Sequence, residues 1–257
     1  MTATVRVVTS LKDQPLAVIR ALDARSGRAE AGACVLEGAA LIAQAVAAGA
    51  TLRFAVRSDE AADIPGLQRV PVYQARGSLL RQAVRLARPV DWVAVAELAP
   101  EGGDYGDFAV VLDGVRDPGN LGTIVRTAVA LGVHDVVCTD AETDLTSRRV
   151  LDASRAAVLR AAIHRHATPL AAVSALRRQG FEVVATSSRG TVDQADVRLR
   201  GGRVALVVGN ETDGVRPEVL AAADHVVRIP MAGGVESLNV GVATGISLYE
   251  LRRLARG

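Results

Sequence analysis

From residue 107 onward the chain alternates continuous apolar runs with helical periodicity, and this alternation limits its possible folds more than any other feature. Phe108–Leu112, Val136–Cys138, Phe181–Ala185, Val204–Val208 and Val226–Ile229 are almost wholly apolar on consecutive residues, so both faces of each strand need cover. Leu121–Leu131, Thr146–Leu159, Leu170–Gln179 and a last stretch from Leu238 carry helical spacing. Strands of this kind separated by helices build a parallel sheet with helices on both faces, a doubly wound α/β domain. Ligands of such sheets collect beyond the carboxyl ends of the strands.

Three turns begin where a predicted strand ends. The most informative is Ile229-Pro230-Met231-Ala232-Gly233-Gly234-Val235-Glu236-Ser237-Leu238-Asn239. Pro230 has no N–H to continue a ladder, and the two glycines permit backbone angles closed to other residues, so a sharp loop is expected. Ser237 stands where a helix N-cap belongs, ahead of Leu238, Val242, Ile246 and Tyr249 at helical spacing. A helix N-terminus there would suit a carboxylate or phosphate. Gly241 and Gly245 lie inside the helix, where glycine costs up to about 1 kcal/mol relative to alanine, so close approach of another backbone is expected. The other turns are Gly114–Asn120 and Gly209–Gly214. Their glycines do not form G-x-G-x-x-G after a first strand, which argues against a dehydrogenase-type nucleotide fold.

The N-terminal part reads as a smaller α/β unit. Helical segments Leu16–Leu22, Gly38–Ala48 and Gly77–Leu86 alternate with strand candidates Ala33–Leu36, Thr51–Val56, Val70–Val72 and Trp92–Ala96, and Arg25-Ser26-Gly27-Arg28 looks like a polar break. Pro100–Asp107, Gly-rich and acidic, is the expected linker. That gives domains of residues 1–105 and 106–257.

Among 257 residues with a net charge of +2, Lys12 is the only lysine, so nearly all positive charge sits on arginine. Arginine forks grip phosphates in bidentate fashion, although an Arg and Ala excess also follows from a GC-rich genome. With 3% aromatics, a stacking platform for single strands is not expected. Met1–Asp13 has no apolar core of a signal peptide, Ala33–Ala50 is broken by Glu37 and Gln44, and the two cysteines, Cys34 and Cys138, show neither a disulfide framework nor metal spacing. A cytoplasmic protein without metal or membrane segment is the expectation.

Leu112–Ala128, Val208–Gly214 and Ile229–Ala243 resemble, in order and rough spacing, motifs 1, 2 and 3 of the SpoU/TrmH family within the SPOUT superfamily. The resemblance implies an S-adenosylmethionine-dependent RNA 2'-O-ribose methyltransferase acting on structured RNA, ribosomal or transfer. It further implies a trefoil-knotted catalytic domain, a homodimer formed through the C-terminal helices, and an N-terminal L30e-like domain that selects the substrate. Carried over residue by residue, Asn120, Arg126, Glu211, Ser237 and Asn239 are the catalytic set. Thr186, Gly209, Ile229, Met231 and Leu238 are the cofactor positions, and Arg20, Arg25, Arg28 and Arg126 the RNA contacts. From the residues alone, Asn120 could be the N-cap of a helix starting near Leu121, and Glu211 could hold Arg126 or receive loop N–H groups. Guanidinium does not deprotonate, so Arg126 suits a phosphate clamp and charge stabiliser better than a base. The sequence departs from the family at Gly241, Thr212 and Arg155, none of them a catalytic position. Two other readings stay open: a non-catalytic RNA-binding paralogue, and a SPOUT base methyltransferase.

Overall fold

The computed structural model of the protein describes residues 6–140, 143–233 and 237–255. The chain forms two compact units, Met1–Ala99 with Leu145–Arg160, and Pro100–Asp144 with Ala161–Gly257.

In the first unit the elements are β1 (Arg6–Val8), α1 (Gln14–Ala21), α2 (Arg25–Ala31), β2 (Ala33–Glu37), α3 (Ala39–Ala47), β3 (Leu52–Ser58), β4 (Val72–Ala75), α4 (Gly77–Val84) and β5 (Trp92–Glu97). The sheet order is β1-β4-β3-β5-β2, parallel from β1 to β3 and antiparallel at β5 and β2. Leu16, Ile19, Leu22, Val35, Val56, Leu80, Val93 and Val95 fill its core. Each such side chain contributes roughly 1.5–3 kcal/mol by leaving water. The polar stretch read as a break is in fact α2. Its Gly27 is a contact residue, since a Cβ there would lie 2.2 Å from the Ala21 carbonyl oxygen.

The second unit begins with a tether. Residues 100–107, expected as a free linker, are tied into it: the Gly102 amide donates to the Ile163 carbonyl at 2.8 Å and the Gly106 amide to Asp135 Oδ2 at 3.0 Å. Tyr105 stacks on His164 at 3.8 Å, and His164 Nε2 is 2.8 Å from Asp135 Oδ1. After it come β6 (Phe108–Asp113), α5 (Pro118–Ala130), β7 (Asp135–Cys138), α6 (Arg148–Ala153), β8 (Ala162–Arg165), α7 (Pro169–Arg178), β9 (Phe181–Thr186), β10 (Val192–Asp193), β11 (Arg203–Gly209), α8 (Pro217–Ala222), β12 (His225–Arg228) and α9 (Val240–Leu254). The strands form one parallel sheet in the order β10-β12-β9-β11-β6-β7-β8. From β6 the chain moves outward to β7 and β8, returns to β9, and later inserts β11 between β9 and β6. That reversal creates the switch point at which open α/β sheets place ligands. The short edge strands β8 and β10, and the helix α8, carry too few periodic residues to stand out in the sequence.

α6 belongs with the first unit, and it is shorter than the helix expected over Thr146–Leu159. Arg155 (φ 52°) and Ala156 (φ 64°) adopt left-handed backbone, and a single 3-10 turn, Ala157–Arg160, follows. Neither residue is a glycine, so periodicity gave no warning. Arg148, at the start of α6, is held by Asp23, Glu37 and the Val84 carbonyl.

Arg28 corrects a sequence expectation. Rather than facing RNA it is 4% exposed, with Nε donating to Thr146 Oγ1 at 3.0 Å and Nη1 to the carbonyls of Leu22 and Asp23 at 3.0 and 2.8 Å. Its forked donors tie the end of α1 to the segment preceding α6, which no surface arginine could do. Arg28→Ala would leave those buried acceptors short of a charged donor and is expected to cost about 2–3 kcal/mol. A urea titration should show a lowered midpoint at unchanged slope; an unmoved midpoint contradicts the assignment.

Candidate active site

Asp113 and Gly209 end β6 and β11 as register partners, so motifs 1 and 2 leave the sheet side by side. α5 starts at Pro118 with Asp117 as its N-cap, whose Oδ1 accepts the Asn120 amide at 2.8 Å. Asn120 therefore lies in the first turn of the helix and is not its cap. The Asp-Pro pair was the available sequence signal, since Asp caps well and Pro fits the first helical position. Buried Leu121, Ile124, Val125 and Ala128 hold the rest of α5 on the sheet.

With its backbone fixed, Asn120 turns its half-buried side chain toward the other two motifs. Its Oδ1 accepts from Asn239 Nδ2 at 2.8 Å, and its Nδ2 donates to Glu211 Oε1. Glu211 rides on a turn in which Asn210 Oδ1 accepts the Thr212 and Asp213 amides at 2.8 and 2.7 Å, while the Gly214 amide donates to the Asn210 carbonyl at 3.1 Å. Only glycine fits at position 209, where a Cβ would lie 2.0 Å from the Gly214 carbonyl carbon. Among the described residues Glu211 takes neither of the two roles open to it; its partner is Asn120.

On the motif 3 side, Asn239 is the N-cap of α9, its Oδ1 accepting the Gly241 and Val242 amides at 2.9 and 3.3 Å. Ser237, expected to be the cap, is exposed two residues earlier, and Gly234–Glu236 lie outside the described residues. The in-helix glycines are explained by α5. A Cβ on Gly241 would come within 2.8 Å of Thr123 Cγ2, and one on Gly245 within 3.3 Å of Thr127 Cγ2. The close neighbour is thus a pair of threonine side chains rather than another backbone.

Arg126 stands exposed on α5 and, among the described residues, makes no ion pair or hydrogen bond; neither Glu211 nor Asn120 holds it. The cofactor positions sit on the same sheet edge. Thr186 ends β9, between β11 and β12, with Oγ1 donating to the Val207 carbonyl at 3.2 Å. Ile229 and Met231, just past β12, are half-buried, and Leu238 is exposed. Apolar side chains next to strand-end backbone can take a flat heteroaromatic group. Among the described residues no cluster of His, Cys, Asp and Glu could hold a metal ion, and no helix is long and apolar enough to cross a membrane.

Asp113 escaped the sequence reading. Its carboxylate is buried at the end of β6, where Oδ2 accepts the Arg216 amide at 2.8 Å. Oδ1 lies 3.3 Å from Arg216 Nε, within ion-pair range but out of line for a hydrogen bond. Burial pushes the Asp113 carboxyl up, and the Arg216 amide and guanidinium oppose that shift. A strand-terminal Asp inside an apolar run carries no marker of such a role.

The double duty of Asn239 can be separated by substitution. Asn239→Ala removes both the cap and the bond to Asn120, and should lower stability by about 1 kcal/mol. Asn239→Ser keeps a capping oxygen but cannot reach Asn120 as an amide does. Thermal unfolding should therefore recover in the serine variant while any activity of the site stays low. Recovery of both together would show that the contact with Asn120 is incidental.

Comparison with known proteins agrees with this geometry. Residues 107–249 match the SpoU rRNA Methylase family. Across 98% of the chain and 96% of the relative, it is 30% identical to an uncharacterized tRNA/rRNA methyltransferase of Synechocystis sp.. It is 32% identical to the 23S rRNA (adenosine(1067)-2'-O)-methyltransferase of Streptomyces azureus, over 74% of this chain and 73% of that one. The AdoMet-bound rRNA methyltransferase of Sinorhizobium meliloti superposes with a TM-score of 0.77 at 31% identity, covering 97% of this chain and 98% of its own. With the motifs meeting at one sheet edge and the likeness running through both units, the chain belongs to the SpoU rRNA Methylase family.

Proposed function

We propose that this protein is an S-adenosylmethionine-dependent RNA methyltransferase that modifies a ribose 2'-hydroxyl in structured RNA. The observation that carries the reading is the hydrogen-bonded chain Asn239–Asn120–Glu211, which unites the three motifs at the carboxyl edge of a parallel sheet. Relatives named as 23S rRNA 2'-O-methyltransferases, and an AdoMet-bound neighbour, support the substrate and the cofactor. They favour ribosomal over transfer RNA.

The donor, when bound, supplies a methyl group on a sulfonium sulfur that departs as a neutral thioether. What the chain contributes is alignment and charge. Ile229, Met231 and Leu238 would hold the adenosyl group, with backbone at Gly209 and Thr186 beside it. Arg126, exposed and without a partner among the described residues, suits a phosphodiester next to the target ribose and negative charge growing on the attacking oxygen. The hydroxyl proton goes elsewhere, because a guanidinium cannot accept it. Asn120, fixed from both sides, gives the site a rigid polar floor, and Ser237 stands exposed at the rim.

We assign the second unit, with its last helix, to the trefoil-knotted SPOUT fold; the glycine-mediated fit of α9 to α5 supports this. The first unit we read as an L30e-like RNA-binding domain using exposed Arg20 and half-buried Arg25. The chain is proposed to be a cytoplasmic homodimer. Val242, Ile246 and Tyr249 form an exposed apolar stripe on α9, 51%, 40% and 64% accessible, beside a groove of about 430 Å³ that also takes in Pro230 and Ala195. The buried thiols of Cys34 and Cys138 are compatible with a reducing compartment.

Labelled S-adenosylmethionine incubated with ribosomal RNA should place the label on one ribose. Label on a base would support the base-methyltransferase reading, and binding without transfer the non-catalytic one. Arg126→Ala should lower the transfer rate roughly 100-fold or more while donor affinity holds. Lost donor affinity with a normal single-turnover rate would reverse that assignment. Ile246→Glu, which puts a charge in the apolar stripe, should shift the protein to monomer in sedimentation velocity; an unchanged dimer would place the interface elsewhere.

A further inference from the structure

The Glu211 turn has two ends, and the fold secures them differently. At the near end Gly209 is pressed against Gly214, and Asn210 pairs with Gly214 across the turn. At the far end Arg216 is gripped by Asp113 through both its amide and its guanidinium. Gly114 (φ 73°) follows Asp113 and faces the same two residues: a Cβ there would be 3.5 Å from Asn210 Nδ2 and 3.9 Å from Arg216 Nη2. The first residues of motif 1 therefore grip the end of the motif 2 turn from below, while Asn120, seven residues after Asp113, takes its crown from the side.

Burying a carboxylate costs several kcal/mol unless it is well paired, and Asp113 is only partly repaid, since Oδ1 lacks a hydrogen-bond donor. An apolar residue could close β6 at lower cost. We propose that Asp113, acting through Arg216, is a positioning residue that sets the Glu211 turn so that the carboxylate meets Asn120. It touches neither substrate nor donor. Its effect on methyl transfer rests on the function proposed above; its effect on the turn does not.

The test uses Asp113→Asn and Arg216→Gln. Asparagine keeps an oxygen for the Arg216 amide, and Arg216 is half-exposed, so neither change should prevent folding. In hydrogen–deuterium exchange both variants should lose protection at Thr212, Asp213 and Gly214, with the sheet unchanged. With ribosomal RNA as substrate, kcat should fall about 10- to 100-fold at unchanged KM for the donor. The decisive comparison adds Glu211→Ala, which removes the oxygen that accepts from Asn120. If Asp113 works through Glu211, then Asp113→Asn placed on Glu211→Ala lowers kcat no further. Losses that multiply, or unaltered protection of the turn, would overturn the proposal. A wild-type protein that transfers no methyl group would refute the function reading alone, because the exchange measurement still decides whether Asp113 sets the turn.

Discussion

Everything at the candidate site depends on one side chain bonding in two directions. Asn120 accepts from Asn239 and donates to Glu211, and its side-chain amide does so from two separate atoms, Oδ1 and Nδ2. Aspartate would meet Glu211 as a like charge, and leucine would remove the partner of Asn239 Nδ2 and the Nδ2 donor to Glu211 Oε1. The arrangement also needs each motif to be rigid on its own. Asp117 and Pro118 fix the first turn of α5, Gly209 and Asn210 fold the Glu211 turn, and Asn239 caps α9.

The α5–α9 contact is the second constraint. Gly241 and Gly245 weaken α9 as an isolated helix, yet they allow Thr123 and Thr127 to sit where a methyl group would otherwise collide. Propensity is given up for proximity, and the proximity brings Asn239 to Asn120. The face of α9 turned away from buried Thr244, Leu248 and Leu251 keeps Val242, Ile246 and Tyr249 exposed, so the helix is apolar on two sides.

Arginine charge is used in two ways. Arg28 and Arg148 are spent inside the first unit, where a fork can satisfy several carbonyls or carboxylates at once. Arg126 in the second is exposed and has no partner for its charge among the described residues. Identical residue types in similar helical settings thus do opposite work, and only their surroundings distinguish them.

That difference marks what the sequence by itself determined. Consecutive apolar residues such as Val204–Val208 require a strand covered on both faces, and Gly209 and Pro230 stop strands, so the parallel sheet and the carboxyl-edge turns were legible from neighbours within a few residues. Asp117 ahead of Pro118 was a helix-start signal that the reading of Asn120 as the cap passed over. Tertiary structure alone decided that Glu211 meets Asn120 instead of Arg126, that Asn239 and not Ser237 caps α9, that Arg28 is buried, and that residues 145–160 join the first unit. Several of those outcomes rest on contacts between residues far apart in the chain, 91 positions for Asn120–Glu211, 118 for Arg28–Thr146 and 119 for Asn120–Asn239, and on left-handed backbone at Arg155 and Ala156. Local periodicity records which face of an element is apolar, but not which distant element will arrive to cover it.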